Sequence, residues 1–338
     1  MSRVISRPGV VVPVRLDPSG RAGPTPGQAR GSGWRRVGPG LYVPSSADGT
    51  SLDQRIVEAV LGCPGGAGVT GWAGLAWQRG RWFRANHPVP IALGDSRQVR
   101  ARPGVTLSED WLFADDVVEL DGLPLTRAER SVSYEVRRAW SLHAAVQVID
   151  MAAYDDLVDI ASLTAYASRL RGRPGTKQLR HALRWADENA WSPQEVIMRL
   201  YWRDAHPRTR VWTNRPIFDL RGNHMLTPDL LDVEHGVAGE YDGAVHLERA
   251  AFRRDLNRDA LYRDLGIELV TMMSADTRDV TDFLARLRGA YRRAAARTGA
   301  PRSWTVEQPD WWVDTSSVAA RRTLSAEERA IWLRRRAA

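Results

Sequence analysis

The 338-residue sequence contains little cysteine, little lysine and no long apolar run. Cys63 is its only cysteine, which excludes an intrachain disulfide and fits a reducing compartment. No segment reaches the roughly 20 apolar residues that a membrane-spanning helix needs. The apolar run Val10–Val14 is too short for the core of a signal peptide. These absences predict a cytoplasmic protein that has no membrane partner.

Positive charge exceeds negative charge, and the formal net charge is +8. Lys177 is the only lysine among 48 basic residues, so arginine carries nearly all of the positive charge. Arginine binds phosphate through paired hydrogen bonds, and a basic protein attracts polyanions. A GC-rich genome also replaces lysine by arginine. The composition therefore leaves two explanations open, a nucleic-acid partner and a genomic bias.

The sequence pattern of the first 85 residues predicts a small module. Segment 33–43 has the pattern of a β-hairpin, or wing, and helical patterns follow at Leu52–Leu61 and Thr70–Trp77. This arrangement resembles the winged-helix module of abortive-infection type IV antitoxins, which implies contact with DNA. A recognition helix would fall near Thr25–Ser32, where proline and glycine disfavour a helix. The alternative is a structural or dimerising module that binds a protein partner or a second copy.

The sequence pattern of residues 86–189 predicts a structural scaffold. Short β-like runs at Val89–Leu93 and Val117–Leu120 give way to helical periodicity from Arg127 to Asn189. The apolar stripes of these helices are typical of a core, and no motif in this region indicates chemistry.

Residues 190–298 contain the candidate site. Ser192, Pro193 and Glu195 have the spacing of a helix N-terminus with a capping box. A strand is expected at Val211–Phe218, and further strands and helices follow up to residue 298. The pattern predicts an α–β–β–β–α–β–α series within a mixed α/β chain of the α+β class.

Three acidic residues lie on a predicted strand pair. Glu240 and Asp242 are two residues apart on one strand, so their side chains point to the same face. A turn centred on Glu234-His235 places Asp229 opposite Glu240, and a turn centred on His235-Gly236 places it opposite Asp242. Either register puts all three carboxylates on one face. Their mutual repulsion predicts a bound Mg²⁺ or Mn²⁺, whereas the alternative is a set of surface acids on an exposed edge.

The order of five short motifs resembles the very-short-patch-repair-like endonuclease domain of the PD-(D/E)xK nuclease superfamily. The motifs are Ser192-x-x-Glu195, Pro228-Asp229-Leu230, Glu240-Tyr241-Asp242-Gly243-x-x-His246, Asp255-x-x-Arg258-Asp259 and Leu261 with Gly266. This resemblance implies a restriction-endonuclease-like fold and hydrolysis of DNA. It also implies metal ligands at Asp229, Glu240 and the carbonyl of Tyr241, and a metal-bound water held by Glu195. His246 would be the general base or an outer partner.

Asp242 stands where the superfamily usually has a catalytic lysine, so another cation is needed near the attacked phosphate. Arg254 and Arg258 lie on a helix face together with Leu261 and Leu265, at 100° per residue. We expect Arg258 to reach the carboxylates or the phosphate. The alternative is a buried ion pair with Asp255 or Glu240 that only braces the fold.

The segment 299–338 contains tryptophans beside arginines. Such residues stack on nucleobases, or they pin the segment across the preceding domain. The whole sequence leaves three functions open. The first is an active metal-dependent endonuclease in bacterial defence or DNA repair. The second is a non-catalytic DNA-binding regulator or toxin–antitoxin component, and the third is a module that binds protein.

Overall fold

The structure is a computed structural model that describes residues 4–63, 66–94, 99–100, 102–242, 258–297 and 301–337. The chain forms two compact units. Unit 1 contains residues 1–138 and 165–176, and unit 2 contains residues 139–164 and 177–338. Unit 2 therefore holds both the predicted site region and the C-terminal segment. No helix in the described ranges is long and apolar enough to cross a membrane.

Unit 1 begins with the expected hairpin. Its first sheet has the order β1-β3-β2 and contains β1 (Val14–Arg15), β2 (Trp34–Gly38) and β3 (Leu41–Pro44). The predicted helices are confirmed as α1 (Leu52–Leu61) and α2 (Gly71–Trp77). Between Thr25 and Ser32 only a three-residue 3₁₀ helix forms, at Gln28–Arg30. A recognition helix is thus absent from this stretch, because its prolines and glycines do not sustain one.

A second sheet of unit 1 has five strands in the order β6-β5-β4-β8-β7. The predicted strands at Val89–Leu93 and Val117–Leu120 are confirmed in it, and α3 (Ala128–Arg138) follows the sheet. Val69, Ile91 and Leu125 are fully buried in this unit. The strands are β4 (Gly68–Val69), β5 (Val89–Ala92), β6 (Val105–Ser108), β7 (Val117–Leu120) and β8 (Leu123–Thr126).

Unit 2 is built around a four-stranded mixed sheet in the order β14-β13-β12-β9. Strands β13 and β14 are parallel, whereas the other neighbours are antiparallel. Three helices, α4 (Leu142–Tyr154), α5 (Ile160–Arg169) and α6 (Thr176–Leu183), precede the site region. The strands are β9 (Val211–Thr213), β12 (Leu230–Asp232), β13 (Val237–Asp242) and β14 (Glu268–Met273).

Helices cover both faces of this sheet. On one face, α7 (Pro193–Ala205) and α9 (Thr281–Ala296) enclose a core that includes Trp202, Val237 and Phe283. On the other face, Leu231 and Ala238 pack with Tyr262, which lies on the helix α8, described over 258–264. The chain is therefore of the α+β class. The C-terminal segment adds α10 (Val318–Arg322) and α11 (Ala326–Trp332).

The predicted strand Val211–Phe218 was wrong as a single element. Asn214 adopts a left-handed conformation, with φ of 47°, and Pro216 follows it without a backbone N–H. The chain therefore leaves β9 and enters a second sheet as β10 (Ile217–Asp219). There β10 pairs with β11 (His224–Leu226) and with β15 (Trp304–Thr305).

Candidate functional site

Asp229 and Glu240 lie side by side at the end of an antiparallel strand pair. Leu230 pairs with Gly239 and Leu231 with Ala238, which is the register of a turn centred on Glu234-His235. Asp229 directly precedes β12, so this register places it opposite Glu240. Cross-strand partners point to the same face of a sheet, and here it is the face that packs on Tyr262.

Backbone groups fix the position of Asp229. The Tyr241 N–H donates to Asp229 Oδ2 at 2.7 Å, and the Asn214 N–H donates to the Asp229 carbonyl at 2.9 Å. Within a strand, the N–H and C=O of one residue point to the same neighbour. The carbonyl of Tyr241 is therefore directed towards the side on which Asp229 lies.

Helix α8 supplies two donors to Glu240. Arg258 Nη2 lies 2.6 Å from Glu240 Oε1, and the Tyr262 hydroxyl donates to the same oxygen. Arg258 and Tyr262 are four residues apart and thus share a helix face. The Glu240 side chain is 16% exposed, whereas the Arg258 side chain is 42% exposed. Arg258 thus contacts Glu240, which agrees both with a role at the carboxylates and with a bracing ion pair, and it remains accessible from solvent.

Glu195 lies in the first turn of α7. Ser192 Oγ accepts a hydrogen bond from the Glu195 N–H at 3.2 Å, which confirms the N-cap. The Glu195 carboxylate does not complete the capping box. Its Oε2 atom accepts instead from the Trp191 N–H at 2.9 Å and from Asn214 Nδ2 at 2.7 Å. Asn214 therefore links Glu195 to the backbone of Asp229.

Gly239 lets α7 approach β13 closely. A Cβ atom at this position would lie 2.6 Å from the Trp202 ring and 3.4 Å from Met198 Sδ. Trp202 and Met198 belong to α7, so the absence of a side chain on β13 sets the distance between this helix and the sheet. The same helix carries Glu195, whose carboxylate is linked by Asn214 to the backbone of Asp229.

The three acids share an environment that disfavours their charged forms. Burial raises the pKa of Asp229 to about 6, against the opposing hydrogen bond from Tyr241. Burial and then repulsion by Asp229 raise the pKa of Glu240 to about 8, although Arg258 opposes the rise. The same two causes raise the pKa of Glu195. A cation near these carboxylates would reverse these shifts.

The donor atoms of this site suit a hard cation. Asp229 and Glu240 offer carboxylate oxygens, and Tyr241 offers a backbone carbonyl, which together match the oxygen ligands of Mg²⁺ or Mn²⁺. Among the residues that the structure describes, no group of three or more His, Cys, Asp or Glu side chains could hold a metal ion. The fit therefore rests on two carboxylates and one carbonyl.

Of the remaining predicted residues, the structure describes Asp242. Asp242 is exposed at the end of β13, next to Met273 of β14. It lies two residues after Glu240 on the same strand, so the two side chains point to the same face of β13. His246, Arg254 and Asp255 lie outside the described residues.

Two residues of the site were not predicted from the sequence. Asn214 could have been found, because asparagine two residues before a proline favours a break in a strand. Tyr262 could have been found from its spacing of four residues from Arg258.

Comparison with known proteins gives no match to this chain. No family model matches the chain, and neither a curated protein nor a solved structure matches it significantly.

Proposed function

We propose that this protein is a metal-dependent endonuclease that hydrolyses phosphodiester bonds of DNA, in bacterial defence or DNA repair. The observation that carries the proposal is the pairing of Asp229 with Glu240 on one face of a mixed sheet, with Arg258 in contact. The elements of the four-stranded sheet and its helices follow one another as α7, β9, β12, β13, α8, β14 and α9, with the short strands β10 and β11 inserted after β9. That order and the carboxylate pair both support the proposal.

Asp229, Glu240 and the Tyr241 carbonyl would hold Mg²⁺ or Mn²⁺. Such an ion, when bound, lowers the pKa of a water molecule and neutralises charge on the attacked phosphate. Glu195 is fixed by Trp191 and Asn214, and it would orient the attacking water.

Arg258 takes the role of the missing lysine. Its guanidinium group is partly exposed, and it can exchange Glu240 for a phosphate oxygen, because arginine binds both anions in the same geometry. Tyr262 remains on Glu240 and keeps its carboxylate oriented. His246 is proposed as the proton acceptor, since histidine has a pKa near neutrality.

One observation favours a second function, a DNA-binding regulator without catalysis. Arg258 and Tyr262 both donate to Glu240 Oε1, as in an ion pair that only braces a fold. In this case the basic surface would bind DNA and the carboxylates would serve stability.

Incubation of plasmid DNA with the protein and Mg²⁺ or Mn²⁺ tests the two functions. The nuclease proposal predicts cutting that needs the metal and that is lost in Asp229→Ala. Asp310→Ala, which changes an exposed acid of the same unit, is the matched control and should cut normally. Salt-sensitive binding without cutting would favour the regulator. Failure to bind DNA at low salt would contradict both functions and favour a protein-binding module.

A further inference from the structure

A cavity of about 510 Å³ in unit 2 adjoins the carboxylate site. Its walls come from residues 186–191, residues 210–216 and the C-terminal segment. Two residues belong to both the cavity and the site. Asn214 lines the cavity and donates to Glu195, and Thr227 lines the cavity while its carbonyl accepts a hydrogen bond from Arg258. The cavity and the carboxylate site are therefore neighbours within unit 2.

Tryptophan side chains form much of the lining. They are Trp191, Trp212, Trp311, Trp312 and Trp332. The rings of Trp311 and Trp332 have centroids 6.4 Å apart and an interplanar angle of 30°. Trp311 is 53% exposed, so its ring is available to a ligand. Flat aromatic surfaces of this kind stack on nucleobases of any sequence.

The C-terminal tryptophans are held in place by the second sheet of unit 2. Strand β15 pairs with β10, and Trp304 of that strand is buried. Trp312 stacks on His224 with centroids 5.0 Å apart, and Trp311 Nε1 donates to the Gly222 carbonyl at 3.2 Å. The C-terminal segment thus packs across the domain, which is one of the two arrangements expected from the sequence. This packing forms one wall of the cavity.

Polar groups in the lining complement a nucleotide. The Arg210 guanidinium lies 3.6 Å from the centroid of the Trp212 ring, and Arg215 donates to the Val306 carbonyl. The arginines favour phosphate.

We propose that this cavity binds one unstacked nucleobase of the DNA strand that is cut, an inference that rests on the proposed nuclease function. The volume lies within the range of small-ligand sites. A base enters such a cavity only when it is out of the helical stack, and this step is easiest for an unpaired base. The protein should therefore prefer DNA with an unpaired or single-stranded base over fully paired duplex.

Binding of two short duplexes in EDTA tests this inference without cleavage. The duplexes differ only in whether a 2-aminopurine is unpaired or paired. The unpaired duplex should bind more tightly, and its 2-aminopurine fluorescence should be quenched on stacking. Trp311→Ala should weaken this binding about five- to tenfold, the loss expected for one stacked base, and should leave the paired duplex unchanged. Trp311→Phe should retain most of the affinity.

The matched control is Trp140→Ala, which removes an exposed tryptophan of the same unit that does not line the cavity. Equal wild-type affinity for both duplexes without quenching would overturn the inference. Equal effects of Trp311→Ala and Trp140→Ala would also overturn it. Metal-dependent cutting that persists alongside either result would show that the cavity alone was misassigned. Base-selective binding that needs Trp311, without cutting in any divalent cation, would support the cavity and overturn the nuclease proposal.

Discussion

The buried carboxylates should make thermal stability depend on pH and on divalent cations. The folded-state pKa of Asp229 is raised to about 6 and that of Glu240 to about 8. An acid with a raised folded pKa contributes most stability below its unfolded pKa, and this contribution is lost as pH rises through the folded pKa. Without a cation, the melting temperature should therefore fall as the pH rises from about 4, near the unfolded pKa values, to about 8, the higher of the two folded pKa values.

The substitution Asp229→Asn isolates this effect. The amide has the size of the carboxylate, and its oxygen can still accept the Tyr241 N–H, but it carries no charge. The pKa of Asp229 moves from 3.8 to about 6, and at about 1.4 kcal/mol per pKa unit the charged form costs about 3 kcal/mol. A loss of that size lowers the melting temperature of a unit this large by about 6–12 °C.

Melting curves by circular dichroism in EDTA measure the difference between the two proteins. At or below about pH 4 their melting temperatures should be close, because Asp229 is then largely protonated in both the folded and the unfolded protein. At pH 9 Asp229→Asn should be the more stable by about 6–12 °C. Mn²⁺ at pH 8 should raise the melting temperature of the wild type but not that of the variant. Acids elsewhere titrate in both proteins, so only the difference counts. Curves that fall in parallel, with no response to Mn²⁺ in either protein, would refute this reasoning.

Three further substitutions test other parts of the site. Gly239→Ala should lower the free energy of unfolding by about 1–3 kcal/mol in urea titrations, because α7 leaves no room for the added methyl group; an unchanged midpoint would contradict the packing. Arg258→Ala should slow cutting about 100-fold at unchanged DNA affinity. The control is Arg263→Ala, which changes an exposed arginine of the same helix and should leave cutting unchanged. Equal losses in the two variants would contradict the role of Arg258. Tyr262→Phe removes a hydrogen bond that lowers the pKa of Glu240, so the pH profile of cutting should move to higher pH, and an unmoved profile would speak against this contact.

Much of the site region follows from local sequence rules. The N-cap at Ser192 depends only on neighbouring residues, and the structure confirms it. The register of Asp229 and Glu240 follows from the alternation of strand side chains, together with the length of one turn. Both features are fixed by interactions within a few residues or across one hairpin, so a single sequence is enough to predict them.

Long-range contacts were not accessible in the same way. The hydrogen bond from Asn214 to Glu195 joins residues 19 apart in the sequence. The pairing of β15 with β10 brings Trp304 beside Asp219 from 85 positions away. No periodicity encodes such partners, since each depends on how whole elements pack. The exposure of Asp242 could not be predicted for the same reason, because it depends on where β13 ends relative to β14.

The most direct test of the account is the position of a bound cation. Crystals soaked in Mn²⁺ should give one anomalous peak in direct bonding distance of carboxylate oxygens from Asp229 and Glu240 and of the Tyr241 carbonyl. Arg258 should then have left Glu240, at least in part. A well-occupied Mn²⁺ peak elsewhere with none at this pair, or an Arg258–Glu240 contact that persists at saturating Mn²⁺, would contradict it.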